Sequence, residues 1–170
     1  LDISCIESGK VTLEAKPVHL PELVHGLRDI VQAGVSKKNL SLTLDTVGVE
    51  NADVIADPLR LEQILINVLA NAVKFTPPGG RIGICLAAAA DTVTVTVWDT
   101  GCGMDAETLP RIFEQFYQGD TDRRADGCGL GLTLCKRIVE QHGGTISAES
   151  RPGEGSRFSV ALPAKAAKFM

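Results

Sequence analysis

Residues 57–76 constrain this chain more than any other stretch. At about 100° of rotation per helical residue, Arg60, Gln63, Asn67, Asn71 and Lys74 fall within a sector of roughly 80°. Leu61, Ile64, Leu65, Ile66, Val68, Leu69, Ala70, Ala72 and Val73 cover most of the remaining circumference, which describes a helix buried on most sides. Asparagines on such a helix are costly to bury without hydrogen-bond partners, so the stripe faces a polar ligand or a wet pocket rather than bare core. Asp57 and Pro58 supply an N-cap and a first-turn proline, and Pro77-Pro78-Gly79-Gly80 ends the helix.

Two glycine clusters narrow the ligand. Asp99-Thr100-Gly101-Cys102-Gly103 follows the alternating run Thr92 to Trp98, which reads as a strand, so a carboxylate sits at a strand end where glycine lets backbone come close. Gly127-Cys128-Gly129-Leu130-Gly131-Leu132 opens a helical pattern through Leu134, Ile138, Val139 and His142. Glycines entering a helix N-terminus present unpaired N–H groups to anions, phosphate above all. A glycine run alone is more often a plain turn or a helix start; the asparagine stripe and both clusters in this order carry the argument.

A chain of 170 residues with 44% hydrophobic content can bury one sizeable core, and nothing marks a second domain. A net charge of −4 and the absence of a basic stripe argue against nonspecific nucleic-acid binding. No apolar run is long enough to span a bilayer. Five cysteines without CxxC spacing fit neither a disulfide framework nor a zinc site, and a reducing, cytoplasmic setting is the simplest expectation. Cys85 and Cys135 read as small apolar residues, whereas Cys102 and Cys128 lie inside the glycine clusters, where a redox-sensitive pair beside the ligand is conceivable.

The remaining periodicity predicts strands over 11–15, 40–44 and 54–56, a helix over 20–37, strands over 81–88 and 92–98, and a closing hairpin of 145–150 with 156–162. Periodicity breaks down from Met104 to Asp126, and a connection this long inside a compact domain is usually functional or mobile. These elements alone give an α/β domain.

The motifs resemble the catalytic ATP-binding domain of sensor histidine kinases across nearly the whole chain. Asn67-Val68-Leu69-Ala70-Asn71-Ala72-Val73-Lys74-Phe75-Thr76 is similar to the N box, Asp99-Thr100-Gly101-Cys102-Gly103-Met104 to the G1 box, Ile112-Phe113-Glu114-Gln115-Phe116-Tyr117 to the F box and Gly127-Cys128-Gly129-Leu130-Gly131-Leu132 to the G2 box. The resemblance implies an α/β sandwich, one mixed sheet with helices on one face, which is the Bergerat ATP-binding fold, over residues 11–163, the end of a dimerisation helix and its exit over 1–10, a lid over the phosphates near 104–126, and a C-terminal tail over 164–170. It also implies ATP and Mg²⁺ as cofactors. The implied partners are a histidine-bearing dimerisation domain of the same protein, a response-regulator receiver domain downstream and a second copy of the full-length protein.

Within that resemblance Asn71 is the candidate Mg²⁺ ligand, since the ion prefers hard oxygen and takes few protein ligands beside phosphate. Asn67, one turn earlier, faces the phosphates or the metal's waters. Lys74 pairs with phosphate or is an ordinary lysine at a helix end. Asp99 accepts from the adenine amino group, Gly101 and Gly103 admit the base, and Gly127, Gly129, Leu130 and Gly131 cradle phosphate with backbone N–H groups. Arg124, with Arg123, is a lid contact or a solvated charge. Phe113 and Phe116 anchor the lid or grip the acceptor helix. Asp126 and Cys128 depart from the usual glycine and hydroxyl residues, which predicts reduced nucleotide affinity without loss of the cradle.

Three functions compete: a histidine kinase catalytic domain, an ATPase of the chaperone or topoisomerase type, and a nucleotide-binding module without catalysis. The ATPases carry a glutamate base where this chain has Asn67, and an amide cannot deprotonate water. None of His19, His25 and His142 has the acidic residue that follows a phosphoacceptor histidine, and His142 reads as closing a helix.

Overall fold

The asparagine helix forms where its sequence requires it, and the rest of the fold is arranged around it. A computed structural model describes residues 13–46, 48–49, 52–89, 91–114 and 131–164. In chain order these form β1 (Lys16–His19), α1 (Leu20–Lys37), β2 (Ser41–Asp45), β3 (Asp53–Ala56), α2 (Pro58–Phe75), β4 (Arg81–Ala88), β5 (Thr92–Asp99), a 3-10 turn (Leu109–Arg111), α3 (Gly131–Gln141), β6 (Thr145–Arg151) and β7 (Gly155–Pro163).

The main sheet has the order β2-β4-β5-β7-β6, with β2 parallel to β4 and every other neighbour antiparallel. The β2–β4 pair needs a crossover, and α2 lies on it, which carries the helix across the sheet face. The odd positions Val93, Val95 and Val97 of β5 are buried under the helices, while Thr94 and Thr96 face the other way and Thr96 meets Ser159 across β7 at 3.3 Å. Val24, Leu27, Val31 and Val35 of α1 and Leu61, Ile64, Leu65, Val68 and Leu69 of α2 join one core with Ile138 and Val139 of α3.

Two expectations need correction. The sheet is not single: β1 and β3 pair antiparallel in a separate two-stranded ribbon, joined to the end of β7 by a bridge between Val54 and Ala164. The first strand lies at Lys16–His19, later than residues 11–15, because Val18 opposite Val54 is the buried pair whereas Glu14 and Ala15 are exposed.

Helix ends are fixed by recognisable devices. After α1, Asn39 takes φ 53°, and Leu40 N–H donates to Val35 O at 2.9 Å while Asn39 N–H donates to Ser36 O at 3.1 Å. This is the Schellman arrangement, and asparagine tolerates the left-handed turn better than most residues. The same arrangement ends α3, where Gly144 donates to Val139 O and Gly143 to Glu140 O, both at 3.0 Å.

Candidate nucleotide site

The polar stripe of α2 begins at a fully engaged N-cap. Asp57 is buried, and its Oδ1 accepts from Leu59 N–H at 3.1 Å and Arg60 N–H at 3.3 Å, while Oδ2 accepts from Glu14 N–H at 3.0 Å. Burial raises the Asp57 pKa, but these three N–H groups and the Arg60 charge outweigh it, and the net shift is downward. The Asp57 N–H donates to His142 Nε2 at 3.0 Å, and His142 Nδ1 lies 2.8 Å from Ile138 O. A carbonyl only accepts, so Nδ1 carries the proton and Nε2 offers its lone pair. His142 therefore closes α3, as expected, and also ties it to the start of α2.

The far end of α2 is held as firmly. Thr76 Oγ1 donates to Ala72 O at 2.6 Å, and Lys38 Nζ, reaching across from the end of α1, donates to Val73 O at 2.7 Å and Lys74 O at 3.1 Å. A cation on the last carbonyls suits the helix dipole. Between these anchors Arg60 Nη1 bonds Gln63 Oε1 at 3.3 Å, and Asn67 and Asn71 are half-buried. The Asn71 side chain makes no hydrogen bond among the described residues, which leaves a half-buried amide available to a ligand. Lys74 is exposed, with Nζ 5.1 Å from the centroid of its neighbour Phe75.

The glycine loop after β5 is stitched to the same helix end. Cys102 N–H donates to Phe75 O at 3.3 Å, and a Cβ on buried Gly101 would come within 2.5 Å of that oxygen. Only glycine lets the loop lie against the helix terminus. Gly103 has φ +69°, and a Cβ there would overlap Arg151 O of the closing hairpin. Gly153 N–H donates to Cys102 O at 2.7 Å, so the hairpin turn is fastened to the loop as well.

Asp99 lies where these pieces meet. Its Oδ1 accepts from Gly101 N–H at 2.8 Å and from Ser156 N–H at 3.2 Å. Burial pushes its pKa above the ordinary carboxylate value, against the opposing pull of those two N–H groups. Beside it Met104 N–H donates to Ser150 Oγ, Ser150 Oγ donates to Gly155 O, both at 2.8 Å, and Ser156 Oγ lies 3.0 Å from Ser150 Oγ. The sequence did not single out Ser150 or Ser156. Their signal is the β5–β7–β6 register, which sets Asp99, Ser156 and Ser150 in one row.

A cleft of about 760 Å³ opens beside this row, lined among others by Trp98, Asp99, Leu109, Ser150 and Ser156. Its lining includes no residue of α2 or α3, so it lies on the hairpin side of Asp99 and is not the space beside the asparagines.

The structure thus lays the loop that carries Gly101 and Cys102 on the C-terminal end of the asparagine helix, sets Asp99 and Gly103 against the closing hairpin beside it, and packs α3 against that helix, Asn67 Nδ2 lying 3.8 Å from Cys135 Sγ. Gly131 is the first residue of α3. Arg124, Gly127, Gly129 and Leu130, with Arg123, Asp126, Cys128, Phe116 and most of the lid, lie outside the described residues, as do residues 1–10 and 165–170. Cys102 is exposed, but its proposed redox partner Cys128 is among those undescribed. Phe113 packs at the edge of the core, and Thr133 Oγ1 donates to its carbonyl at 3.0 Å. None of the three histidines approaches the Asp99 loop: His19 pairs with Asp53 at 2.7 Å, His25 is exposed on α1, and His142 is engaged at Asp57. No helix among the described residues is long and apolar enough to cross a membrane.

Comparison with known proteins identifies the family. Residues 56–166 match the family described as histidine kinase-, DNA gyrase B-, and HSP90-like ATPase. The circadian input-output histidine kinase CikA of Synechococcus elongatus is 42% identical over 166 residues, covering 96% of this chain and 22% of its own length. The sensor histidine kinase GacS of Pseudomonas protegens is 36% identical over 168 residues, covering 95% of this chain and 18% of its own. The chain therefore spans about a fifth of the length of these relatives. Full-length ShkA, solved in complex with AMPPNP, superposes with a TM-score of 0.85 at 29% identity, over 96% of this chain and 34% of that one. Histidine kinase ThkA in complex with the response regulator protein TrrA gives 0.79 at 29% identity, over 98% and 47%. The isolated catalytic domain of ThkA gives 0.79 at 31% identity over 89% and 98%, so this fold stands as a unit there. The chain belongs to the histidine kinase-, gyrase B- and HSP90-like ATPase family, with the Bergerat fold, and corresponds to the ATP-binding catalytic domain of sensor histidine kinases.

Proposed function

We propose that this domain binds Mg²⁺-ATP and transfers the γ-phosphoryl group to a histidine on the dimerisation domain of its own full-length protein, which acts as a cytoplasmic homodimer and passes the phosphoryl group to a response-regulator receiver domain. The observation that carries the reading is the attachment of the Asp99–Gly103 loop to the end of the asparagine helix through Cys102 and Phe75. It ties the loop that follows Asp99, at the end of β5, to the C-terminal end of the helix that carries the two half-buried amides, which supports reading them as parts of one nucleotide site.

In this reading Asp99 accepts from the adenine amino group, with Gly101 and Ser156 holding its Oδ1 still. Guanine, which offers a carbonyl there, would meet an acceptor instead of a donor. Asn71 is the amide whose free oxygen fits Mg²⁺, which prefers hard oxygen ligands and keeps several waters. When bound, the ion neutralises charge on the phosphate oxygens. Lys74 reaches phosphate as a point charge, Asn67 lies one turn behind Asn71, and Gly127, Gly129, Leu130, Gly131 and Arg124 complete the phosphate side. Catalysis on this plan is positioning and charge stabilisation, with Asn67 and Lys74 acting on the reacting end. The family also contains ATPases that hydrolyse ATP with a general base, but Asn67 supplies none at the position that resembles theirs. Domain limits of 11–163 for the catalytic unit, with the dimerisation exit before it and a tail after it, complete the proposal.

Incubation with γ-labelled ATP tests it. The chain alone should give near-background self-labelling and hydrolysis. Adding the full-length protein's dimerisation helices as a separate polypeptide should give acid-labile label on that polypeptide alone. Rapid steady hydrolysis by the chain alone would instead place it with the ATPases, and silence with the helices present despite ATP binding would make it a binding module.

A further inference from the structure

Asn67 has a neighbour that its role does not predict. Cys135 of α3 is 1% exposed, and its Sγ lies 3.7 Å from Ile64 O and 3.8 Å from Asn67 Nδ2. Both distances suit hydrogen bonds to sulfur, which is larger than oxygen. A cysteine thiol buried in the core keeps its single hydrogen at neutral pH.

The direction of each bond then follows from counting protons. A carbonyl can only accept, so the one S–H goes to Ile64 O. The sulfur is left with lone pairs alone, and the Asn67 group that faces it must be the donor, the NH₂. The amide oxygen and nitrogen diverge from the same carbon, so with NH₂ on the sulfur Oδ1 points away from Cys135. It has no partner among the described residues, and it is not a buried orphan, since the only buried unpartnered side-chain nitrogen or oxygen among them is Arg60 Nε.

We propose that Cys135 is a positioning residue that fixes the Asn67 amide with its oxygen toward the nucleotide, so that Asn67 serves as an acceptor for the Mg²⁺ ion or a water bound to it and not as a donor to phosphate. The proposal rests on the placement of Asn67 in the Mg²⁺-ATP site given above. Without the sulfur contact the amide rotates between two nearly isosteric orientations, one of which presents NH₂ to a cation.

A double-mutant cycle on the full chain tests this, with calorimetric ATP affinity measured with and without Mg²⁺. Cys135→Val keeps apolar volume and removes the acceptor. It should leave metal-free affinity unchanged and reduce the Mg²⁺-dependent gain about two- to tenfold, the range of one modest hydrogen bond. In an Asn67→Ala background the same substitution should cost nothing further, whereas a packing role would cost the same in both backgrounds. Equal losses in both backgrounds, or no loss in the first, overturns the proposal while leaving Mg²⁺-ATP binding standing. Absence of any ATP binding in the unsubstituted chain overturns both. A second measurement needs no variant: nuclear Overhauser contacts between the Asn67 side-chain NH₂ and the Cys135 β-protons are expected, and contacts from the Asn67 NH₂ to other groups only would refute the orientation.

Discussion

Replacing Asp57 by alanine removes acceptors from three backbone N–H groups at once, those of Leu59, Arg60 and Glu14. Loss of the N-cap costs about 1 kcal/mol. The Glu14 bond adds about another 1 kcal/mol, for a total of roughly 2 to 3 kcal/mol because the site is buried. For a chain of this size each kcal/mol lowers Tm by about 2 to 4 °C, so a fall of roughly 5 to 10 °C is expected. Asp57→Asn keeps an Oδ1 for Leu59 and Arg60 but turns NH₂ toward Glu14, so its loss should be near half that of alanine. The acid dependence has a definite sign. The folded-state pKa lies below the ordinary 3.8, so the carboxylate's contribution is present above that value and is lost as pH falls through the folded-state pKa. The gap between unsubstituted and alanine chains in thermal unfolding should close over that range. Nucleotide affinity should be unchanged, since Asn67 lies about 15 Å further along the helix. Equal Tm values at pH 7 would refute the capping argument, and a gap that widens in acid would refute its electrostatic part.

Asp99→Asn should raise Tm at pH 7, because it keeps an oxygen for Gly101 and Ser156 while removing a charge that burial disfavours. A raised folded-state pKa means the aspartate's own contribution is best below its ordinary value and declines as pH rises, so the variant's advantage should vanish in acid. The same variant should lose discrimination between ATP and GTP, measured by competition binding. Gly103→Ala combines a φ of +69° with an overlap on Arg151 O, and about 2 kcal/mol or more of destabilisation is expected in denaturant unfolding. An unfolding midpoint equal to that of the unsubstituted chain would show that the loop and hairpin can separate freely.

How much of this was legible in the sequence depends on the range of the interaction. The α2 limits, its Asp57 cap and the β4 and β5 strands follow from local periodicity and capping chemistry, and the structure reproduces them to within a residue. The strand at 54–56 matches β3 to within a residue, but β1 lies later than residues 11–15, because a four-residue strand has too few alternating positions to mark its place and its buried face is decided by Val54, which is distant in sequence. Within the site, Asn67, Asn71, Asp99 and the glycines announce themselves because polar or flexible residues stand where apolar ones are expected. The residues that hold them do not. Lys38 reads as a surface lysine after a helix, Ser156 as a turn serine and Cys135 as a small core residue. Each acquires its role only through a contact across 35 to 68 positions, such as Lys38 on Val73 or Asn67 on Cys135. No local pattern encodes such a pairing.

Titration calorimetry of ATP into the chain and its Asn71→Ala variant, each with and without Mg²⁺, addresses the central claim most directly. The unsubstituted chain should bind ATP more tightly when Mg²⁺ is present. Asn71→Ala should keep most of the metal-free affinity, which rests on Asp99 and the glycine loop, and lose the metal-dependent gain. An undiminished Mg²⁺ gain in Asn71→Ala would contradict the assignment of the asparagine stripe to the metal-phosphate end of the nucleotide.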